Sequence, residues 1–98
     1  MYKIVWTPTA ETAYFSNLEY WIDRNKSNTY SLKIVEQVNS IEQSISETPY
    51  FLAHYIGDLN LYRRIFFKGK FSLYYEISEE QKIVTIKYFK SNKQKPIY

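Results

Sequence analysis

Cysteine is absent from this chain. Neither a disulfide framework nor a thiolate metal site can form, and the sequence fits a reducing compartment. His54 is the single histidine, with no second imidazole to share a metal and no serine at a spacing that suggests a nucleophile pair. Zinc chemistry and base-and-nucleophile catalysis are therefore disfavoured. Glycine occurs only at Gly57 and Gly69, too few for a glycine-rich phosphate loop, so no nucleotide cofactor is implied. No stretch reaches the roughly 18 apolar residues of a membrane span, and the opening Met1 to Trp6 lacks the long apolar segment of a secretory signal. The expectation is a soluble cytoplasmic protein without metal, cofactor or membrane contact.

Positive charge, by contrast, is abundant and lopsided. From residue 61 onward Arg63, Arg64, Lys68, Lys70, Lys82, Lys87, Lys90, Lys93 and Lys95 face only Glu76, Glu79 and Glu80, a balance of +6. The first sixty residues hold four cations against seven carboxylates, a balance of −3. An overall charge of +3 thus hides a polarised molecule whose basic end attracts phosphates or an acidic partner by field alone.

Ninety-eight residues suffice for a single domain over 1–98 with one modest core. Residues 2 to 6 are β-rich and stop at Thr7-Pro8, a hydroxyl N-cap ahead of proline at the first helical position. Ala10, Ala13, Tyr14, Leu18, Trp21 and Ile22 then form one helical stripe. Ile34, Val35, Val38, Ile41 and Ile45 form a second, after the candidate caps Ser27 and Asn28 and before Thr48-Pro49, and the two helices make a hairpin. Residues 49 to 60 read as an ordered loop. Three strands follow, at 61 to 67, 71 to 77 and 82 to 89. The fold class expected is α+β: an N-terminal strand, a two-helix hairpin and a three-stranded antiparallel meander forming one small sheet.

In the first meander strand, alternation puts Leu61, Arg63, Ile65 and Phe67 on one face and Tyr62, Arg64 and Phe66 on the other. Both faces are largely apolar. One should lie under the hairpin, and the second, occupied by a partner or by the chain's own tail, is the candidate functional surface. Cations interleave with Tyr62, Phe66, Phe67, Phe71, Tyr74, Tyr75, Tyr88 and Phe89, a pattern suited to anion contacts beside stacking surfaces. Glu79 and Glu80 are adjacent in a turn, cannot converge on one substrate as acid and base, and read as solubilising residues.

The order of elements, Tyr62-Arg63-Arg64, the strand Phe71-Ser72-Leu73-Tyr74-Tyr75-Glu76-Ile77, and the closing Tyr88-Phe89-Lys90-Ser91-Asn92 ahead of Pro96 resemble the RelE/ParE superfamily of toxins from type II toxin–antitoxin systems. The resemblance spans essentially the whole chain and is closer to the ParE-like branch. Two positions depart from it: Ser72 stands where the second meander strand typically carries arginine, and Asn92 where the late arginine falls.

The resemblance implies a toxin that acts by binding a cellular target such as DNA gyrase and is neutralised by a cognate antitoxin, with operator DNA reached only through the antitoxin complex. The antitoxin is expected to present an acidic amphipathic helix. Residues implied in target or antitoxin binding are Arg63, Arg64, Lys87, Lys90, Asn92 and Lys93. A second reading is a ribosome-dependent mRNA endoribonuclease of the RelE kind, metal-independent, with Arg63, Lys87, Lys90, Lys93 and Tyr98 as candidate catalytic groups. A third is a degenerate member that only binds its antitoxin.

Overall fold

Thr7 ends the first strand and starts the first helix with one side chain. Its hydroxyl oxygen accepts the Ala10 N–H at 3.2 Å, and its hydroxyl donates to the Ile86 carbonyl at 3.0 Å. Pro8 follows at the first helical turn, where its missing N–H costs nothing. The computed structural model describes residues 1–92. Within them run β1 (Lys3–Trp6), α1 (Pro8–Asn25), α2 (Thr29–Glu47), β2 (His54–Ile56), β3 (Leu61–Phe66), β4 (Phe71–Ser78) and β5 (Ile83–Ser91).

The helix hairpin turns at Lys26, which takes a left-handed conformation. Asn28 occupies the N-cap of α2 without a side-chain bond, and the Ser27 hydroxyl accepts the Thr29 N–H instead. Ser31 then donates to the Leu18 carbonyl at 2.7 Å, fastening one helix to the other. Along α2 the buried residues Ile34, Val38, Ile41 and Ile45 repeat at four, three and four positions, which aligns them on one face.

Among the described residues the sheet has five strands in the order β1-β5-β4-β3-β2, and this corrects the three-stranded expectation in two respects. β1 joins the sheet as a parallel partner of β5, from Lys3 opposite Ile83 to Trp6 opposite Ile86. A parallel pair needs a long crossover, and the helix hairpin supplies part of it. The second correction is β2, which lies inside the segment read as loop and pairs antiparallel with β3. Phe67, expected at the end of a strand, belongs instead to the following turn, where Phe67, Lys68 and Gly69 all have positive φ. Glycine bears the largest of these, +83°, without a Cβ penalty.

Phe71, Leu73, Tyr75 and Ile77 from β4, Val84, Ile86 and Phe89 from β5, and Phe66 from β3 meet Ala10 and the α2 stripe in one apolar core. Aromatic contacts run through it without interruption: Trp6 stacks on Tyr14, Tyr14 meets Phe89, and Phe89 stacks on Phe71. Because β4 is the central strand, all five residues from Phe71 to Tyr75 are buried.

Leu73 has no exposure at all. Truncating such a side chain leaves a cavity that close-packed neighbours fill only in part. Leu73→Ala should lower unfolding free energy by about 2–5 kcal/mol, read as a shifted urea midpoint with unchanged slope.

Candidate functional site

Alternation along β3 separates two neighbouring arginines completely. Arg64 pairs in register with Leu73 and turns towards the helices, whereas Arg63 pairs with Tyr74 on the opposite, open face. Arg64 is only 6% exposed. Its guanidinium donates to the Phe51 carbonyl at 2.9 Å and the Ser44 hydroxyl at 3.1 Å, and it lies over the Phe51 ring. Expected at a binding surface, Arg64 serves instead as an internal brace between α2 and the loop before β2. Beside it the Tyr75 hydroxyl donates to the Pro49 carbonyl at 2.8 Å. Burial pushes that phenol up to about 12, against the opposing pull of the Arg64 charge.

On the open face, strand register builds rows across the sheet. One runs His54, Arg63, Tyr74, Tyr88. The row on one side holds Ile65, Ser72 and Lys90, and the row on the other holds Glu76, Thr85 and Val5. On the central strand Ser72 and Tyr74 are buried. Lys87 is the extra residue of a bulge, because Tyr75 pairs with Ile86 while Tyr74 pairs with Tyr88. Its ammonium stands 3.8 Å from a Glu76 carboxylate oxygen. Ile65, Tyr88 and Val5 are 48%, 38% and 37% exposed, so apolar and aromatic surface reaches solvent among the cations.

Three of the expected site residues thus meet on one face: Arg63, Lys87 and Lys90. Asn92 acts differently. It accepts a bond from the Ser72 hydroxyl at 2.7 Å, donates through its side chain to the Gly69 carbonyl at 2.8 Å, and donates through its backbone to Lys70. Ser72 and Asn92, the two neutral residues where the resemblance implies arginine, therefore bond to each other and clasp the β3–β4 turn. Lys93 and Tyr98 lie outside the described residues. His54, expected in a loop, is on β2 opposite Arg63.

Glu79 departs most from its sequence reading. Both its carboxylate oxygens accept from the Tyr2 hydroxyl, at 2.7 and 2.8 Å, and it also accepts from the Tyr50 hydroxyl and, at 2.9 Å, from Lys82. One turn residue thereby joins the N-terminus, the loop before β2 and the β4–β5 turn. Hydrogen bonds from Tyr50, Lys82 and Tyr2 pull the Glu79 carboxyl down to about 2. The same bond pushes Tyr50 up to about 12, and Tyr2 and Lys82 rise as well. No sequence signal marks this hub, since its tyrosine partners lie far away, at positions 2 and 50.

Chemically, this face offers cations beside the exposed Tyr88 ring and the aliphatic Ile65 and Val5, an arrangement fit to hold anionic groups next to apolar ones. Among the described residues no group of three or more histidines or carboxylates could hold a metal ion, and no helix is long and apolar enough to cross a membrane.

Because the folded Glu79 ionises below its ordinary 4.5, the stability it contributes is present above that pH and is lost as pH falls through about 2. Tyr50, raised above 10, contributes below pH 10 and loses its contribution as pH rises through about 12. Glu79→Gln should flatten both limbs relative to wild type in urea unfolding followed from pH 2 to 12. Parallel curves would show that the hub adds nothing. In comparisons with models of protein families and with curated proteins, nothing matches the chain.

Proposed function

We propose that this chain is a toxin component of the type II toxin–antitoxin kind, of the RelE/ParE type, acting through its open sheet face. The observation that carries the reading is that face itself. Arg63, Lys87 and Lys90 share the side away from the helices with the exposed Tyr88, Ile65 and Val5. A surface both cationic and apolar suits an acidic amphipathic segment, with charge steering the encounter and apolar burial supplying most of the affinity. That segment is the expected antitoxin, and the same face engages the cellular target, of the gyrase kind, when the antitoxin is absent.

Binding is favoured over RNA cleavage by the Ser72–Asn92 pair. Cleavage without a metal relies on several cations gathered around the scissile phosphate to offset charge in the transition state. Here two positions where the resemblance expects arginine carry neutral side chains turned to each other. Operator DNA would be reached through the antitoxin complex.

Inducing the protein alone should arrest growth, and co-expression with the gene beside it should restore growth. Lys87→Ala with Lys90→Ala should abolish the arrest while leaving the circular dichroism spectrum unchanged. Unaltered growth on induction would contradict toxicity. Translation-dependent mRNA cleavage that disappears in Arg63→Ala would move the assignment to the ribonuclease reading.

A further inference from the structure

The contact between Lys87 and Glu76 sits on the open face and does little for the fold. The two side chains are 38% and 53% exposed, and their charged atoms are 3.8 Å apart. An ion pair so open to solvent is screened and adds little to stability. The backbone beneath it is held firmly. The Thr7 N–H donates to the Ile86 carbonyl at 3.0 Å, and its hydroxyl donates to the carbonyls of Ile86 and Lys87, at 3.0 and 3.3 Å. The residue that caps α1 therefore also anchors the bulge from which Lys87 emerges. Bulges re-aim a side chain, and this one brings Lys87 to Glu76, whose register partner on β5 is Thr85.

Glu76 is also out of character with its surroundings. Among the described residues that the strands turn to this side, it is the single carboxylate, against Lys3, Arg63, Lys87 and Lys90. A negative charge inside a cationic face costs affinity for any anion laid over it. The cost depends on the pattern of the ligand. A segment with separate carboxylates can leave an apolar or donating group opposite Glu76, but an unbroken polyanion cannot.

We infer that Glu76 is a resident competitor for Lys87 that selects an acidic amphipathic protein segment over a uniform polyanion. In the free protein it occupies the lysine; on docking, a partner carboxylate takes its place at the Lys87 ammonium, and Glu76 turns to solvent. This inference rests on the docking reading above and names what that face discriminates against. A nucleic acid strand, with a charge at every phosphate, meets Glu76 wherever it crosses Lys87.

Fluorescence anisotropy with two labelled probes tests it. One is an amphipathic helical peptide of glutamate, leucine and alanine; the other is an oligothymidylate of equal net charge. The wild-type protein should bind the peptide more tightly. Glu76→Gln should tighten the oligothymidylate about tenfold and the peptide about threefold at low salt, gains that shrink as salt rises. In a Lys87→Ala background Glu76→Gln should produce no gain.

With the fold intact by circular dichroism, a peptide that binds while Glu76→Gln alters neither affinity overturns the competitor role and leaves the docking face standing. A gain that persists without Lys87 overturns it too, as does wild-type preference for the oligothymidylate. Failure of both probes to bind either protein overturns the docking reading and this inference together.

Discussion

A helix hairpin can cover one side of a sheet and no more, and this constraint organises the molecule. Side chains alternate along each strand, so residues of one parity are driven into the core by α2 and those of the other are left outside it. Leu73, Tyr75, Val84 and Ile86 go inward; Arg63, Glu76, Thr85 and Lys87 go outward. The cations of the second half of the sequence could have been spread around the periphery. Strand register gathers three of them instead.

Three polar fastenings keep that register in place at points where packing alone would leave the backbone loose. Thr7 ties the start of α1 to the β5 bulge. Arg64 and Tyr75 hold the loop after α2 by its carbonyls at Phe51 and Pro49, which satisfies buried groups that would otherwise be costly. Glu79 gathers Tyr2, Tyr50 and Lys82 at the surface. Each joins segments distant in sequence, and each braces the open face from its edge or from behind.

Much of this architecture was legible in the sequence. The stripes Ile34, Val38, Ile41 and Ile45 and the cap Thr7-Pro8 marked the helices, and the polar breaks Lys68-Gly69-Lys70 and Ser78-Glu79-Glu80-Gln81 between apolar runs marked β3, β4 and β5. β2 escaped notice because three residues between Pro49 and Gly57 carry no measurable period. The parallel pairing of β1 with β5 has no local signature, since its partners are some eighty residues apart. Parity put Arg63 and Arg64 on opposite faces, but Leu61 and Ile65 are as apolar as Tyr62 and Phe66. Only the packed helices decide which arginine is interior. Glu79 was invisible for the same reason as β1, since its role depends on distant hydroxyls rather than on its neighbours.

The proposed function rests on the contrast between the two faces. The face under the helices is aromatic and aliphatic apart from the braced Arg64; among the described residues the other mixes guanidinium and ammonium groups with the exposed Tyr88 and Ile65 and the carboxylate of Glu76. Nuclear magnetic resonance mapping with an acidic amphipathic peptide tests the central claim most directly. Amide shifts should concentrate at Arg63, Ile65, Tyr74, Lys87, Tyr88 and Lys90. Shifts confined to the outer surface of α1, around Phe15, Glu19 and Ile22, would contradict the account.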